Sequence, residues 1–316
     1  LHNQIAVSST GRQMKIFITG ASGYIGGSIA TALVSAGYDV MGLCRSVDQV
    51  PLLKQKNIEP ILGTLSDERV LLQAARSADA VINAADADNP FVVEVLLQAL
   101  GGSGKKLIHT SGSSIVGDRA AGDPSDRIFH EDSPRPIRFE KIGRVAVDTR
   151  VAEGANQGVS SVVLCPCLIY GQGTGLHSQS IQIPRMIEIA KKHQMARYIG
   201  RGENIWSTVH IEDVVRAYLL ALEKAPGGSF FFLENGESSF KEIAETIHSQ
   251  LNFEGTAQSW AVEEAVKEWG QEGAHFAFGS NSRIRSNKAR NVLGWISTYP
   301  SVIDWLNDTD LWEITS

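Results

Sequence analysis

The stretch Lys15-Ile-Phe-Ile-Thr-Gly20-Ala-Ser-Gly23-Tyr-Ile-Gly26 runs from a short apolar, β-branched segment into a glycine-rich turn, and GSIATALVSAG continues it to Gly37 with helical character. The spacing predicts a strand over Lys15–Thr19, a tight turn, and a helix that stops at Gly37. Each glycine has a separate task in such a turn. Gly20 permits the sharp reversal, Gly23 lets a ligand approach the bare backbone, and Gly26 lets the helix pack closely on the strand. The free N–H groups and the positive end of the helix dipole then face outward, where they suit an anionic diphosphate. A glycine-rich turn alone is weak evidence, and its setting between strand and helix is what gives it weight.

Outward from that turn, short β-branched runs alternate with longer helical patterns. DVMGLC, IEPIL, ADAVINAA, KKLIHT and VSSVVLC read as strands two to six, with helices at DERVLLQAARS and from about Phe91 to Leu100. This rhythm predicts an α/β fold, a Rossmann-type doubly wound parallel sheet with right-handed crossovers and a ligand at the carboxyl ends of its strands. The dinucleotide-binding part is expected over 14–170. Gly171, Gly173 and Gly175 then open a loop before an amphipathic helix around IQIPRMIEIAKKH. Residues 205–235, containing WSTVHIEDVVRAYLLALEK and GSFFFLE, are expected to rejoin the sheet. Residues 171–204 and 236–316 are expected to form a smaller, substrate-binding C-terminal lobe.

Composition removes several classes of function. The 29 basic and 35 acidic residues give a net charge of −6, and no Lys/Arg run supplies the footprint of a nucleic-acid or membrane-surface binder. Cys44, Cys165 and Cys167 each sit in an apolar run, which argues against a disulfide framework and fits a reducing, cytoplasmic setting. The first thirteen residues lack the apolar core of a signal peptide, and no stretch approaches the roughly 20 apolar residues of a membrane span. Gly101-Gly-Ser-Gly-Lys105 lacks phosphate-loop spacing, since Ala99 stands where a glycine belongs. No metal site is expected: Cys165-Pro-Cys167 has no neighbouring ligand cluster, and His109, His130, His177 and His210 are scattered.

Strand two ends in Leu43-Cys-Arg45-Ser46, with no acidic residue for a ribose 2′-hydroxyl. Arg45 can pair with a 2′-phosphate, which favours NADP while leaving NAD possible. A solvated arginine, or one stacked on adenine in either cofactor, is the competing reading.

The chain resembles the extended short-chain dehydrogenase/reductase family, in its NAD(P)-dependent epimerase/dehydratase branch. The landmarks are the G-x-x-G-x-x-G turn, Asn83-Ala-Ala85, Thr110-Ser-Gly-Ser-Ser-Ile-Val-Gly117, Pro166-Cys-Leu-Ile-Tyr-Gly171, Trp206 to Asp213, and Lys288 to Trp295. The resemblance implies that Ser22, Gly23, Tyr24 and Ile25 touch the diphosphate and that Thr64 and Leu65 lie beside the adenine. It further implies that Ala84 and Ala85 line the ribose, and that Pro166 and Leu168 border the nicotinamide. Thr64 stands where the family commonly has Asp. A small-molecule substrate is implied, and a homodimer through the helix that bears the catalytic pair is a further expectation.

That pair, a Tyr four residues before a Lys, is absent. The residues four after the six tyrosines are Ser28, Gly42, Thr174, Gly202, Leu222 and Ile303. Aligning the helix Phe139–Asp148 on an acidic residue after the lysine puts Arg144 in the lysine place and Glu140 in the tyrosine place. A shift of one pairs Phe139 with Gly143. Arg144 can hold a cofactor ribose or phosphate. Glu140 serves as an acid only if burial raises its pKa, and an exposed helix carboxylate is its ordinary reading. Ser111 and Ser113 are candidate donors to a substrate carbonyl, Ser113 preferred, with a turn-stabilising role as the alternative.

These residues predict an NAD(P)-dependent oxidoreductase acting on a small carbonyl compound or sugar derivative with atypical catalytic groups. The alternatives are a redox-inactive NADP sensor and a non-redox isomerase or cyclase built on the same pocket.

Overall fold

The computed structural model describes residues 13–134 and 138–314. Residues 1–12, on which the signal-peptide argument rests, lie outside the described residues.

The first half alternates strand and helix: β1 (Lys15–Thr19), α1 (Tyr24–Ser35), β2 (Asp39–Cys44), α2 (Gln49–Gln55), β3 (Glu59–Leu62), α3 (Glu68–Ser77), β4 (Ala80–Asn83), α4 (Pro90–Leu100), β5 (Lys106–Thr110), α5 (Ile142–Glu153) and β6 (Ser160–Pro166). The second half follows with β7 (Leu168–Tyr170), α6 (Gln182–His193), β8 (Arg197–Ile199), β9 (Ile205–His210), α7 (Ile211–Lys224), β10 (Ser229–Leu233), β11 (Glu237–Ser239), α8 (Phe240–Gln250), β12 (Gln258–Trp260), α9 (Val262–Glu272) and α10 (Val302–Asn307).

Seven strands form one parallel sheet in the order β10-β6-β5-β4-β1-β2-β3. Its central strands are apolar on both faces, as strands covered on both sides must be, and Ile16, Phe17, Ile18, Val81 and Ile108 are buried. The chain reverses its direction of travel across the sheet between β1 and β4. Open α/β sheets bind ligands in the crevice at such a switch point, beyond the carboxyl ends of the strands.

Of the two segments expected to rejoin the sheet, GSFFFLE does so as β10, pairing with β6. The other divides. Helix α7 packs against α1, β5 and β6, whereas β9 pairs with β7 and β11 in a separate three-stranded sheet. Strand β6 is already paired on both edges, so its continuation beyond Cys167, β7, offers β9 the free edge. A second buried cluster, built on Leu168, Ile187, Trp206, Phe240, Ile243, Trp269 and Phe278, stands apart from the cluster around the large sheet.

The junction is fastened at the start of α7. His210 caps that helix, accepting from the Glu212 amide at 3.3 Å. Asp213 is fully buried, and its carboxylate accepts from the Thr298 and Tyr299 amides at 2.9 and 3.0 Å and from Arg216 at 3.0 Å. This acidic residue is thus a structural anchor. A buried carboxylate persists when backbone N–H groups and a cation replace its water.

Candidate functional site

The switch point holds a crevice of about 540 Å³. Gly20 adopts φ +73°, and a Cβ there would lie 2.8 Å from the Ala84 carbonyl oxygen. A Cβ on Gly26 would collide with the Gly20 carbonyl. The turn therefore exists in this form only with glycine at both positions, and it leaves the backbone bare toward the crevice.

Gly20, Ser22 and Gly23 line one side of the crevice, and Ala84 and Ala85 the side below β4. Arg45, Thr64 and Leu65 line the far end, joined by Gln49, Ser66 and His177, which the sequence reading missed. Arg45 is exposed and has no hydrogen bond or ion pair to any described residue. Bare amides at a helix start, a cradle that a Cβ would fill and an arginine without an acid partner suit an adenine dinucleotide.

Tyr24, Ile25 and Ser46, also expected at the coenzyme, do not line the crevice. The Tyr24 hydroxyl donates to the Gly171 carbonyl at 2.8 Å, tying α1 to the following loop, and burial pushes the phenol pKa up. Ile25 packs on the sheet core. Ser46 sits at the start of α2, its hydroxyl accepting from the Asp48 amide at 3.3 Å.

A second cavity, of about 500 Å³, opens beyond β5 and β6. Gly112, Ser113, Ser114, Arg144, Pro166 and Cys167 form its sheet side, while Trp206, Trp269, Glu272 and Phe276 close the other. Ser113 is buried. The Ser282 hydroxyl lies 2.8 Å from its carbonyl oxygen and 2.9 Å from its Oγ, so Ser282 can fix Ser113 while the Ser113 proton stays available. Arg144 grips Asp88 through Nε (2.8 Å) and Nη2 (2.5 Å) and donates from Nη1 to Ser114 Oγ at 3.0 Å. The hydrogen bond from Arg144, opposed by partial burial and reinforced by charge, holds the Asp88 carboxyl below its ordinary range.

Leu168 does not border this cavity. It is fully buried in the second core, where β7 carries it away from the sheet end.

Glu140, placed by alignment where the tyrosine belongs, also faces elsewhere. It lines a separate cavity of about 430 Å³ and pairs with Arg138. A hydrogen bond from its own backbone amide, opposed by desolvation and aided by Arg138, lowers its pKa. Glu140 thus lies outside the Ser113 cavity, where the alignment put it, and the burial that would raise its pKa is missing.

The neighbouring residue enters the second cavity instead. Lys141 is 7% exposed, lines the same cavity as Ser113, and places Nζ 3.2 Å from Glu272 Oε1. Phe139–Lys141 is a 3₁₀ turn, in which successive side chains diverge by about a third of a revolution. One turn thus sends Glu140 and Lys141 to different cavities.

Ser111 lies behind the cavity rather than in it. Its hydroxyl donates to Asp148 Oδ2 at 2.7 Å, and Asp148 Oδ1 stands 3.8 Å from His109 Nε2. Asn83 Nδ2 donates to His109 Nδ1 at 3.0 Å, and Thr19 donates to Asn83 Oδ1 at 2.6 Å. Thr19, Asn83 and His109 are register partners on β1, β4 and β5, so the polar chain crosses the sheet under the crevice. Burial pushes the His109 pKa down to about 4, with the nearby Arg144 guanidinium adding to the fall.

Arg283 and Arg285 share one carboxylate, Arg283 Nη2 lying 2.7 Å and Arg285 Nη1 3.1 Å from Glu237, so neither is left over to clamp a substrate acid. Among the described residues, no group of three or more His, Cys, Asp and Glu is gathered to hold a metal, and no helix is long and apolar enough to cross a membrane.

The profile of the NAD dependent epimerase/dehydratase family matches residues 16–231, from β1 into β10. The chain belongs to that family.

Family membership places it among nicotinamide-dependent epimerases, dehydratases and related oxidoreductases. It is similar to an uncharacterized protein of Schizosaccharomyces pombe, with 30% identity covering 92% of this chain and 97% of the relative. A 4-hydroxy-2-methyl-3-oxo-4-farnesyl-3,4-dihydroquinoline-1-oxide ketoreductase of Stigmatella aurantiaca is 27% identical over 71% of this chain and 69% of that one. Among solved structures, dTDP-glucose 4,6-dehydratase from Bacillus anthracis in complex with NAD matches with a TM-score of 0.74 and 17% identity, covering 95% of this chain and 98% of that chain. That likeness concerns the fold. Within this epimerase/dehydratase-family chain, none of the six tyrosines lines the crevice or the second cavity.

Proposed function

We propose that the protein is an NADP-dependent oxidoreductase that interconverts a ketone and its alcohol on a small molecule. The observation that carries this reading is the pairing of two cavities along one sheet edge. One is built of bare backbone and Arg45 and the other is lined by Ser113, Arg144 and Pro166. A redox-inactive sensor needs only the first. The ketoreductase named above supports carbonyl chemistry by analogy.

The dinucleotide, when bound, supplies or accepts the hydride. With the Gly23 amide given to the Gly20 carbonyl at 2.9 Å, the free amides at the start of α1 receive its diphosphate, and Arg45 pairs with a 2′-phosphate, which makes NADP the preferred form. Ser113 donates its hydroxyl proton as a hydrogen bond to the carbonyl oxygen, which gains negative charge as it is reduced. Arg144, oriented and neutralised by Asp88, braces the Ser113 turn by donating from Nη1 to Ser114 Oγ at 3.0 Å. The oxygen takes its proton from water entering the cavity. Holding the reactants in line supplies much of the rate, so the missing phenol lowers turnover without abolishing it.

By family resemblance the protein pairs with a second copy through α5, and its buried cysteines suit the cytoplasm. The test is to incubate purified protein with NADPH or NADH and a panel of ketones, aldehydes and nucleotide sugars while following coenzyme absorbance, then to run the reverse reaction from alcohols. Turnover with NADPH is expected. Tight coenzyme binding without turnover on any compound would replace the oxidoreductase reading with the sensor.

A further inference from the structure

Taking the Ser113 cavity as the substrate site, we propose that the substrate is an aromatic ketone carrying a carboxylate, held by Lys141 and Arg185 against a tryptophan-backed wall.

Charge in the cavity is unbalanced. Arg144 is already matched by Asp88 at two contacts. Lys141 is buried, and its acid partner Glu272 keeps 80% of its side chain in solvent. The lysine cannot withdraw to water, whereas that carboxylate can. Arg185 donates from Nη2 to the Trp269 carbonyl at 3.1 Å and has no acidic partner among the described residues. Two cations therefore face a single movable anion. A buried cation without a fixed counter-charge is costly, and a ligand carboxylate relieves that cost while displacing Glu272.

The walls are aromatic and held in place. Trp206 and Trp269 are each 4% exposed. The Trp206 indole donates to the Ser280 carbonyl at 3.0 Å, and Trp269 stacks on Phe278 with centroids 4.1 Å apart. Phe276 completes the wall. The two tryptophans show the cavity little surface and serve mainly to hold the half-buried Phe276 side of it rigid; such a fixed aromatic lining favours a planar, apolar body at little entropic cost. Size points the same way: about 500 Å³, part of which the nicotinamide end of a bound coenzyme would fill, leaves room for a small ring system rather than a nucleotide sugar.

Calorimetric titration of the coenzyme-loaded protein with 4-oxo-4-phenylbutanoate, its methyl ester and the aliphatic 4-oxopentanoate tests this directly, because it reads binding and not turnover. The aryl acid is expected to bind about tenfold or more tightly than either comparison compound, the scale of one charge-assisted contact. Lys141→Met should erase the preference for acid over ester, Lys141→Arg should retain most of it, and Glu272→Gln, on an exposed side chain, should strengthen acid binding severalfold. Equal affinity for acid and ester, weakened acid binding in Glu272→Gln, or no binding of any of the three by protein that binds NADPH would overturn the proposal. Failure to bind NADPH, with the acid preference intact in coenzyme-free protein, would instead overturn the oxidoreductase reading and leave this one standing.

Discussion

Arg144 and Asp88 meet through two hydrogen bonds, Nε to Oδ1 at 2.8 Å and Nη2 to Oδ2 at 2.5 Å, joining α5 to the segment that precedes α4. The geometry is a fork on a carboxylate, so the pair orients the guanidinium as well as neutralising it. Over half of the Asp88 side chain is exposed, which limits the pair's worth to about 1 kcal/mol after solvent screening. Because the folded carboxyl titrates below its unfolded value, that stability is complete above the ordinary carboxylate pKa of about 4 and is lost as pH falls through the lower folded value. Urea unfolding of Asp88→Asn should show a small deficit at neutral pH that disappears in acid. The variant's kcat should fall further than its stability does.

His109 has the opposite charge type and the same sense of pH dependence. Its folded pKa, about 4, lies below the unfolded value, so protonation favours the unfolded chain. The stability due to the neutral ring is complete above about pH 6.5 and is lost as pH falls toward 4, amounting to up to about 3 kcal/mol across that window. His109→Gln should flatten the stability curve over this range. An unchanged slope in denaturant titrations at several pH values would show that another group is responsible.

Gly26→Ala places a methyl group against the Gly20 carbonyl. The turn must open to admit it, at a cost of about 1–3 kcal/mol. Coenzyme affinity should drop at least tenfold while the circular dichroism spectrum is preserved.

Arg45→Asp replaces by an acid the one Lys or Arg that lines the crevice among the described residues. NADPH binding should weaken by about tenfold to a hundredfold, the scale of a charge-assisted contact to phosphate, with little effect on NADH. Equal losses for both coenzymes in parallel calorimetric titrations would remove the 2′-phosphate assignment.

Ser113→Ala deletes the hydroxyl of a residue that lines the second cavity. Loss of one such donor should lower kcat by about tenfold to a thousandfold and leave coenzyme affinity unchanged. Steady-state kinetics alongside NADPH fluorescence titration would separate this from a merely structural role, in which the melting temperature falls and kcat does not.

The large sheet was legible because its signals are local. The alternation from KIFIT to SSVVLCP marks each strand within its own few residues, and DVMGLC is β2 to the residue. Strand β9 has equally strong β character, but its partner was decided by which edge β7 left free, a fact outside its own sequence. The crevice was readable through Gly20, Gly23 and Arg45 for the same local reason. Lys141 was hidden because the search sought a Tyr–Lys spacing of four on one helix, while this lysine lies in the 3₁₀ turn before α5 and reaches the cavity only through the way that turn meets Glu272. The Thr19–Asn83–His109 chain spans β1, β4 and β5 and exists only through strand register.

The tie between the Tyr24 hydroxyl and the Gly171 carbonyl has a chemical corollary. With every phenol of the chain outside both cavities, reagents that nitrate or iodinate tyrosine should spare turnover up to the point where the fold itself gives way, a pattern opposite to that of enzymes whose proton shuttle is a phenolate.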